Sequence, residues 1–182
     1  MLNLKIDPVV IDWHIQKAQQ KLHTYLTAKW AIADKDYECY GRAYRNKEKS
    51  GYIAEVYDAN GEYKEVYWDD KLKAISFFGV GENIAYSTQS TANVHLVFFV
   101  NLKKLKPSIT HRADEEIRQD VFNAFGKSSY GLVFQSFDLW LDNVLREYPG
   151  SRRDERLKYV DMHPVHCFRL NYKISFDPNK NC

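Results

Sequence analysis

The stretch Val94–Val121, VHLVFFVNLKKLKPSITHRADEEIRQDV, decides the fold. From Val94 to Leu102 nearly every position is apolar. Such a segment buries both faces, so it predicts a central strand. The run stops at the basic patch Lys103-Lys104-Leu105-Lys106, and Pro107 breaks the chain. A helix is then predicted over Arg112–Phe125. Asp114, Glu115 and Glu116 lie in its first turn, where carboxylates complement the dipole. Ile117, Val121 and Phe125 form its buried stripe. This is scaffold, and nothing in it is laid out for chemistry.

Upstream, Ile11, Ile15, Ala18, Leu22, Tyr25 and Leu26 recur at helical spacing. They predict an amphipathic helix from about Pro8 to Trp30, with Asp7 as N-cap. Tyr37–Tyr44 reads as an aromatic strand and Arg45–Gly51 as a polar turn. Tyr52–Tyr57 and Glu62–Trp68 predict a hairpin around Asp58-Ala59-Asn60-Gly61. Tyr, Glu and Lys crowd both faces of this hairpin, so it is expected to project from the body rather than join the core. Ala74–Val80 reads as a short strand and Gly79–Gln89 as a polar loop.

Downstream, Val133, Phe137, Trp140, Leu141, Val144, Leu145 and Tyr148 have helical spacing and predict a third helix, ended by Pro149-Gly150. Ser151–Pro164 reads as a long polar loop with a basic stretch. His166–Phe176 then alternates without a slip. His166, Phe168, Leu170, Tyr172, Ile174 and Phe176 are expected to face the core, and Cys167, Arg169, Asn171, Lys173 and Ser175 the solvent. Few strands are separated by crossover helices. The expected class is therefore α+β: a largely antiparallel sheet, about three helices mainly on one face, and a protruding hairpin. One domain spans residues 1–182, with the hairpin at 52–68, the loop at 151–164 and a loose tail at 177–182.

The 182 residues carry 26 Lys+Arg against 24 Asp+Glu, a balance unlike that of a nucleic-acid-coating protein. Cys39, Cys167 and Cys182 make no disulfide framework, which fits a reducing compartment. The N-terminal segment lacks the basic start and apolar run of a signal peptide, and no apolar run is long enough to span a bilayer. The expectation is synthesis in the cytoplasm and no membrane association.

The chemical motifs are sparse. His163, His166 and Cys167 are close in sequence, but neighbours on a strand point to opposite faces, so no metal site is expected. Glu55, Asp58, Glu62 and Lys64 match an acid followed by Glu-x-Lys, the arrangement with which some nucleases hold Mg²⁺. The alternative is a solvated, salt-bridged hairpin. Gly79-Val80-Gly81 lacks a third glycine and a following helix, so it reads as a turn. No catalytic, cofactor or metal residues are expected. The rival readings are that metal-dependent nuclease and a monomeric nucleic-acid-binding module.

Several stretches, in order, carry a family resemblance. They are the first helix, RAYRNKEKSGYIAEVYD (42–58), EYKEVYWDDKLKAISFF (62–78), VHLVFFVNLKKL (94–105), RADEEIRQDV (112–121) and HPVHCFRLNYKISF (163–176). This layout, from Ile11 to Phe176, resembles the neck and tail-terminator (tail-completion) proteins of tailed bacteriophages. The resemblance implies a structural virion protein at the head–tail junction. It implies a ring, usually a hexamer, that caps the tail tube and docks to the tube protein and the neck or connector proteins. It implies no cofactor and no catalytic residues. The residues fit such a role: Tyr52, Tyr57, Tyr63, Tyr67 and Trp68 amid mixed charge have the composition of an interface. Arg152, Arg153, Arg156, Arg169 and Lys173 are expected to face a partner, or a lumen through which DNA passes.

Overall fold

The computed structural model describes residues 1–49, 51–85, 87–151 and 162–178. Among these, nine strands form one mostly antiparallel sheet, and the fold is α+β. The strands are β1 (Leu2–Asn3), β2 (Tyr37–Glu48), β3 (Gly51–Tyr57), β4 (Tyr63–Glu65), β5 (Ala74–Ala85), β6 (Ser90–Asn101), β7 (Ser128–Ser129), β8 (Leu132–Asp138) and β9 (Val165–Phe176). The helices are α1 (Ile11–Lys29), α2 (Leu102–Leu105), α3 (Asp114–Phe125) and α4 (Leu141–Val144). The sheet order is β4-β3-β2-β5-β6-β9-β8-β7, with β1 beside β2. The β2/β5 and β1/β2 pairs are parallel.

The doubly apolar strand is central, as its composition demands. β6 pairs with β9 from Ser90↔Phe176 to Asn101↔Val165 and with β5 on its other side. Val94, Leu96, Phe98 and Val100 point to one face, with the inward side of β9 beside them. Phe98 stacks on Phe168, with ring centroids 5.3 Å apart. α1 and α3 cover this face. Fully burying a side chain such as Leu22 or Leu26 contributes about 1.5–3 kcal/mol. Trp30 Nε1 donates to Asp120 Oδ2 at 3.0 Å and ties the end of α1 to α3.

Val97 and Phe99 point to the opposite face, where a second, smaller core forms with Ile75, Phe77 and Cys167. Its roof has two parts: β3 with the segment after β4 (Ala54, Val56, Val66, Trp68), and the α4 region (Val144, Leu145, Tyr148). The parts meet at Gly150. Its N–H donates to Tyr52 O at 2.7 Å, and Ala54 N–H donates to Ser151 Oγ at 3.1 Å. A Cβ on Gly150 would lie 2.8 Å from the carbonyl oxygens of Gly51 and Tyr52, so only glycine permits this contact.

Several expectations are corrected. The predicted third helix is strand β8, a bend, and the single turn α4. The cause is a bulge: Phe134 pairs with Tyr172, and the next register pairs are Ser136↔Asn171 and Phe137↔Leu170. The extra residue, Gln135, breaks the alternation: Phe134 and Phe137 share one face, and Val133, which the predicted stripe joined to Phe137, is exposed on the other. The predicted loop at Gly79–Gln89 is largely β5 running on to Ala85, and the predicted turn at Arg45–Gly51 is largely β2 and the start of β3. Pro8 does not open the first helix. The chain turns through Val9 and Val10 first, and Asp12 is the acid in the first turn. Lys5 and Tyr44 both bind Asp12, which anchors the helix start to β2.

Candidate functional site

β2 pairs with β5 only as far as Ala43, and from Tyr44 to Glu48 it pairs with β3. The outcome is a ribbon, β2-β3-β4, that extends past the end of the β2/β5 pairing. Its base is core and its outer surface is not. Trp68 is 8% exposed, and its Nε1 donates to Asp70 Oδ1 at 2.7 Å. Trp68 is therefore a core residue, correcting its place in the expected interface. Tyr57 is half-buried. Tyr52, Tyr63 and Tyr67 are exposed. The expectation that the hairpin stays out of the core holds for these tyrosines and fails for Ile53, Ala54, Val56 and Val66. The failure has a physical reason: the small and β-branched residues between the tyrosines seal the second face of the sheet.

The outer surface of the ribbon is preorganised. Tyr63 meets Tyr44 and Tyr57 edge-on, with centroids 5.8 and 5.6 Å apart. On the ribbon's opposite face, the one that carries Ala54 and Val56, Arg45 stacks over Tyr52 at 4.7 Å. In the β3–β4 turn, Asp58 Oδ1 accepts the N–H groups of Asn60 (2.9 Å) and Glu62 (3.4 Å). The backbone bond from Asn60 is the main cause that holds the Asp58 carboxyl below its ordinary value. Among the described residues, the Glu62 carboxylate has no ion-pair partner. The acid and Glu-x-Lys residues do not converge. Glu55 pairs with Glu65 and Val56 with Lys64, so Glu55 and Lys64 stand on opposite faces. Glu55 accepts from Asn46, and Lys64 packs over Tyr40.

At the other end of the sheet, β8 is an edge strand. β7 covers it only at Leu132 and Val133. The bulge then blunts the edge, because Gln135 Nε2 donates to the carbonyls of Val133 and Phe134. Beyond it, Leu139 is exposed and Trp140 is 75% exposed. Together with the start of α3, Leu139 and Trp140 wall a cavity of about 460 Å³, into which Arg112, Arg118 and His166 also reach. Arg118 Nη1 donates to His166 Nε2 at 3.1 Å, which places the ring proton on Nδ1, 3.3 Å from Asp114 Oδ1. Arg112 forks onto Asp114 through Nε (2.9 Å) and Nη2 (2.6 Å). Arg118 also binds Glu115, whose side chain is 89% exposed. With Nε2 already taken, His166 is not placed to accept a proton from a substrate. Both arginines of the cavity are thus already paired with carboxylates, Arg112 with Asp114 and Arg118 with Glu115.

The lumen-facing residues divide. Arg169 is corrected: it is 2% exposed, on the second face beneath the α4 region. It binds both oxygens of Glu147, and its Nε donates to Asn171 Oδ1 at 2.7 Å. Cys167 is likewise buried rather than wet. Burial raises the Glu147 carboxyl, but its bonds to Arg169 outweigh this and pull it down to about 2. Burial, with the Arg169 charge beside it, pushes the neighbouring His95 down to about 3. Gly79 makes room for this cluster. A Cβ there would lie 2.0 Å from His95 Nε2 and 2.6 Å from Tyr148 Oη. Lys173 is exposed, on the half of this face that the roof leaves open. Arg152, Arg153 and Arg156 lie outside the described residues, as does most of the predicted loop at 151–164.

Sequence reasoning missed the Arg112/Arg118/Trp140 cavity. In the sequence Trp140 belongs to a helical stripe, and Asp114, Glu115 and Glu116 read only as first-turn acids that complement the helix dipole. Among the described residues, no three His, Cys, Asp or Glu side chains are grouped to hold a metal ion, and no helix is long and apolar enough to cross a membrane. Comparison with protein-family models, with curated proteins and with solved structures finds no match to this chain.

Proposed function

We propose that this chain is a structural virion subunit that closes head-to-tail into a homo-oligomeric ring at the phage head–tail junction. In the manner of a tail terminator, the ring caps the tail tube and docks to the neck. One observation supports the reading. Among the described residues, exposed large apolar side chains stand at opposite ends of a single sheet, Tyr52, Tyr63 and Tyr67 on the ribbon and Tyr130, Val133, Leu139 and Trp140 on and beside β8. A closed ring needs two unlike patches on each copy, turned away from each other, so that one fits the other on the next copy. A patch at one end alone favours an isologous pair instead.

The composition agrees. Tyr, Trp and Arg are enriched at interface centres; the ribbon carries tyrosines with Arg45, and the other end carries Trp140 with Arg112. In this assembly the open half of the second face, with Lys173, lines the lumen or meets a ring partner. A sparse cation there lets DNA pass without a tight grip. The residues act by shape and charge, and no catalytic role is proposed.

The test is functional termination. Purified protein added to polymerising tail tube protein of its own phage is expected to stop elongation and appear as a cap on each tube in electron micrographs. Unchanged tube growth, with no capped ends at any ratio, contradicts the proposal.

A further inference from the structure

One face of α1 carries positive charge that the fold leaves uncompensated. Lys17, Lys21, Thr24 and Ala28 recur at helical spacing and form one outward stripe about 17 Å long. With Tyr25 and Tyr130 the stripe walls a groove of about 900 Å³. Among the described residues no carboxylate lines it, and past Asp12 the helix contains no acid. Lys17 Nζ lies 5.5 Å from the Trp13 ring centroid, and Lys21 Nζ lies 5.4 Å from that of Tyr130. Lys21 Nζ also donates to Ser129 Oγ at 3.1 Å. Among the described residues neither lysine has a carboxylate within ion-pair distance. Lys29, farther along, does: it lies 3.6 Å from Asp120, a buried carboxylate that Lys106 shares. The far wall of the groove is Tyr130, 49% exposed in the two-residue turn of the β7–β8 hairpin. Tyr130 and Gly131 both have left-handed backbone there, with φ of 54° and 78°. Such turns favour Asn or Gly, so a tyrosine bears a conformational cost. Burial does not offset that cost; the turn places an aromatic ring beside Lys21 and leaves it half open.

We propose that this groove docks an acidic amphipathic segment of a partner protein. Its carboxylates meet Lys17 and Lys21, and its apolar side chains pack on Tyr25, Ala28 and Tyr130. Charge selects this occupant: both ammonium groups gain a carboxylate without giving up an existing ion pair. An apolar floor with a charged rim is also the anatomy of a protein interface. The stripe has the length of about three helical turns, which suits a helix laid along α1. A phosphate backbone fits less well. The lining has no arginine to give phosphates bidentate contacts, and the whole chain carries a net charge of only +2. The docking needs one copy of the chain and one anionic partner, so it stands apart from ring closure.

The experiment uses the full chain and labelled probes in fluorescence anisotropy. The probes are an amphipathic peptide with Glu and Leu at helical spacing, the same peptide with Lys in place of Glu, and an oligothymidylate. The acidic peptide is expected to bind, with an affinity that falls as salt rises, and the basic peptide is not. Lys17→Glu combined with Lys21→Glu is expected to weaken the acidic peptide by about tenfold or more. Tyr130→Asn suits the turn and removes the ring, so it is expected to weaken binding while the thermal unfolding midpoint holds or rises. If both variants bind the acidic peptide as the unsubstituted chain does, if neither peptide binds, or if the basic peptide binds equally well, the inference is overturned. Tighter binding of the oligothymidylate, lost in the lysine variant, overturns it in favour of a phosphate track.

Discussion

Arg169 shows how a single position on a strand can mislead. By alternation it faces solvent, and its face is in fact the less buried one. Glu147, far away in sequence, closes over it. Nothing local to either residue announces that pairing. Breaking it leaves a carboxylate partly buried, so Arg169→Ala is expected to cost about 3 kcal/mol in denaturant unfolding. The same cluster makes stability acid-sensitive. His95 falls from its ordinary 6.5 to about 3 in the fold, and Glu147 from 4.5 to about 2. Both folded values are the lower ones, so the unfolded chain binds more protons and stability is lost as pH falls. The loss from His95 begins below 6.5, and Glu147 adds to it below 4.5. Unfolding midpoints measured across this range should decline steadily, and His95→Gln should flatten the part above 4.5. Gly79→Ala tests the packing beneath it. The methyl collides with His95, and the expected loss is about 1–3 kcal/mol or more.

At the scale of elements, legibility followed period. α1, α3, β6 and β9 carry long, regular patterns and were readable to within a few residues. The inward face of β9 was readable as well, and Leu170→Ala there should cost about 2–5 kcal/mol by the cavity it leaves. β8 was misread because one bulged residue breaks its alternation, so that Val133 and Phe137, four apart in sequence, stand on opposite faces of a strand. The ribbon was half-read: its tyrosines announced an outer surface, but small residues such as Ala54 gave no sign that they seal a second core. Two substitutions separate the ribbon's roles. Trp68→Ala should destabilise the fold by about 3–5 kcal/mol, as a buried indole does. Tyr63→Ala should change stability by no more than about 0.5 kcal/mol and should weaken assembly. Equal thermal shifts for the two would mean that Tyr63, too, belongs to the core.

The whole molecule has a direction. One sheet runs from a tyrosine-bearing ribbon to a cavity walled by Trp140 and two ion-paired arginines, with α1 and α3 over one face and the α4 region roofing part of the other. The α+β class was legible because strands without crossover helices must pair largely antiparallel. The cavity was not, because α3, Leu139-Trp140 and β9 come together only through tertiary packing. Self-association is the property that connects the two ends, and native mass measured across a wide concentration range tests it most directly. A single closed species, an integral multiple of the 21.4 kDa chain that stops growing at one copy number, is predicted. A mass of one chain at every concentration would contradict it.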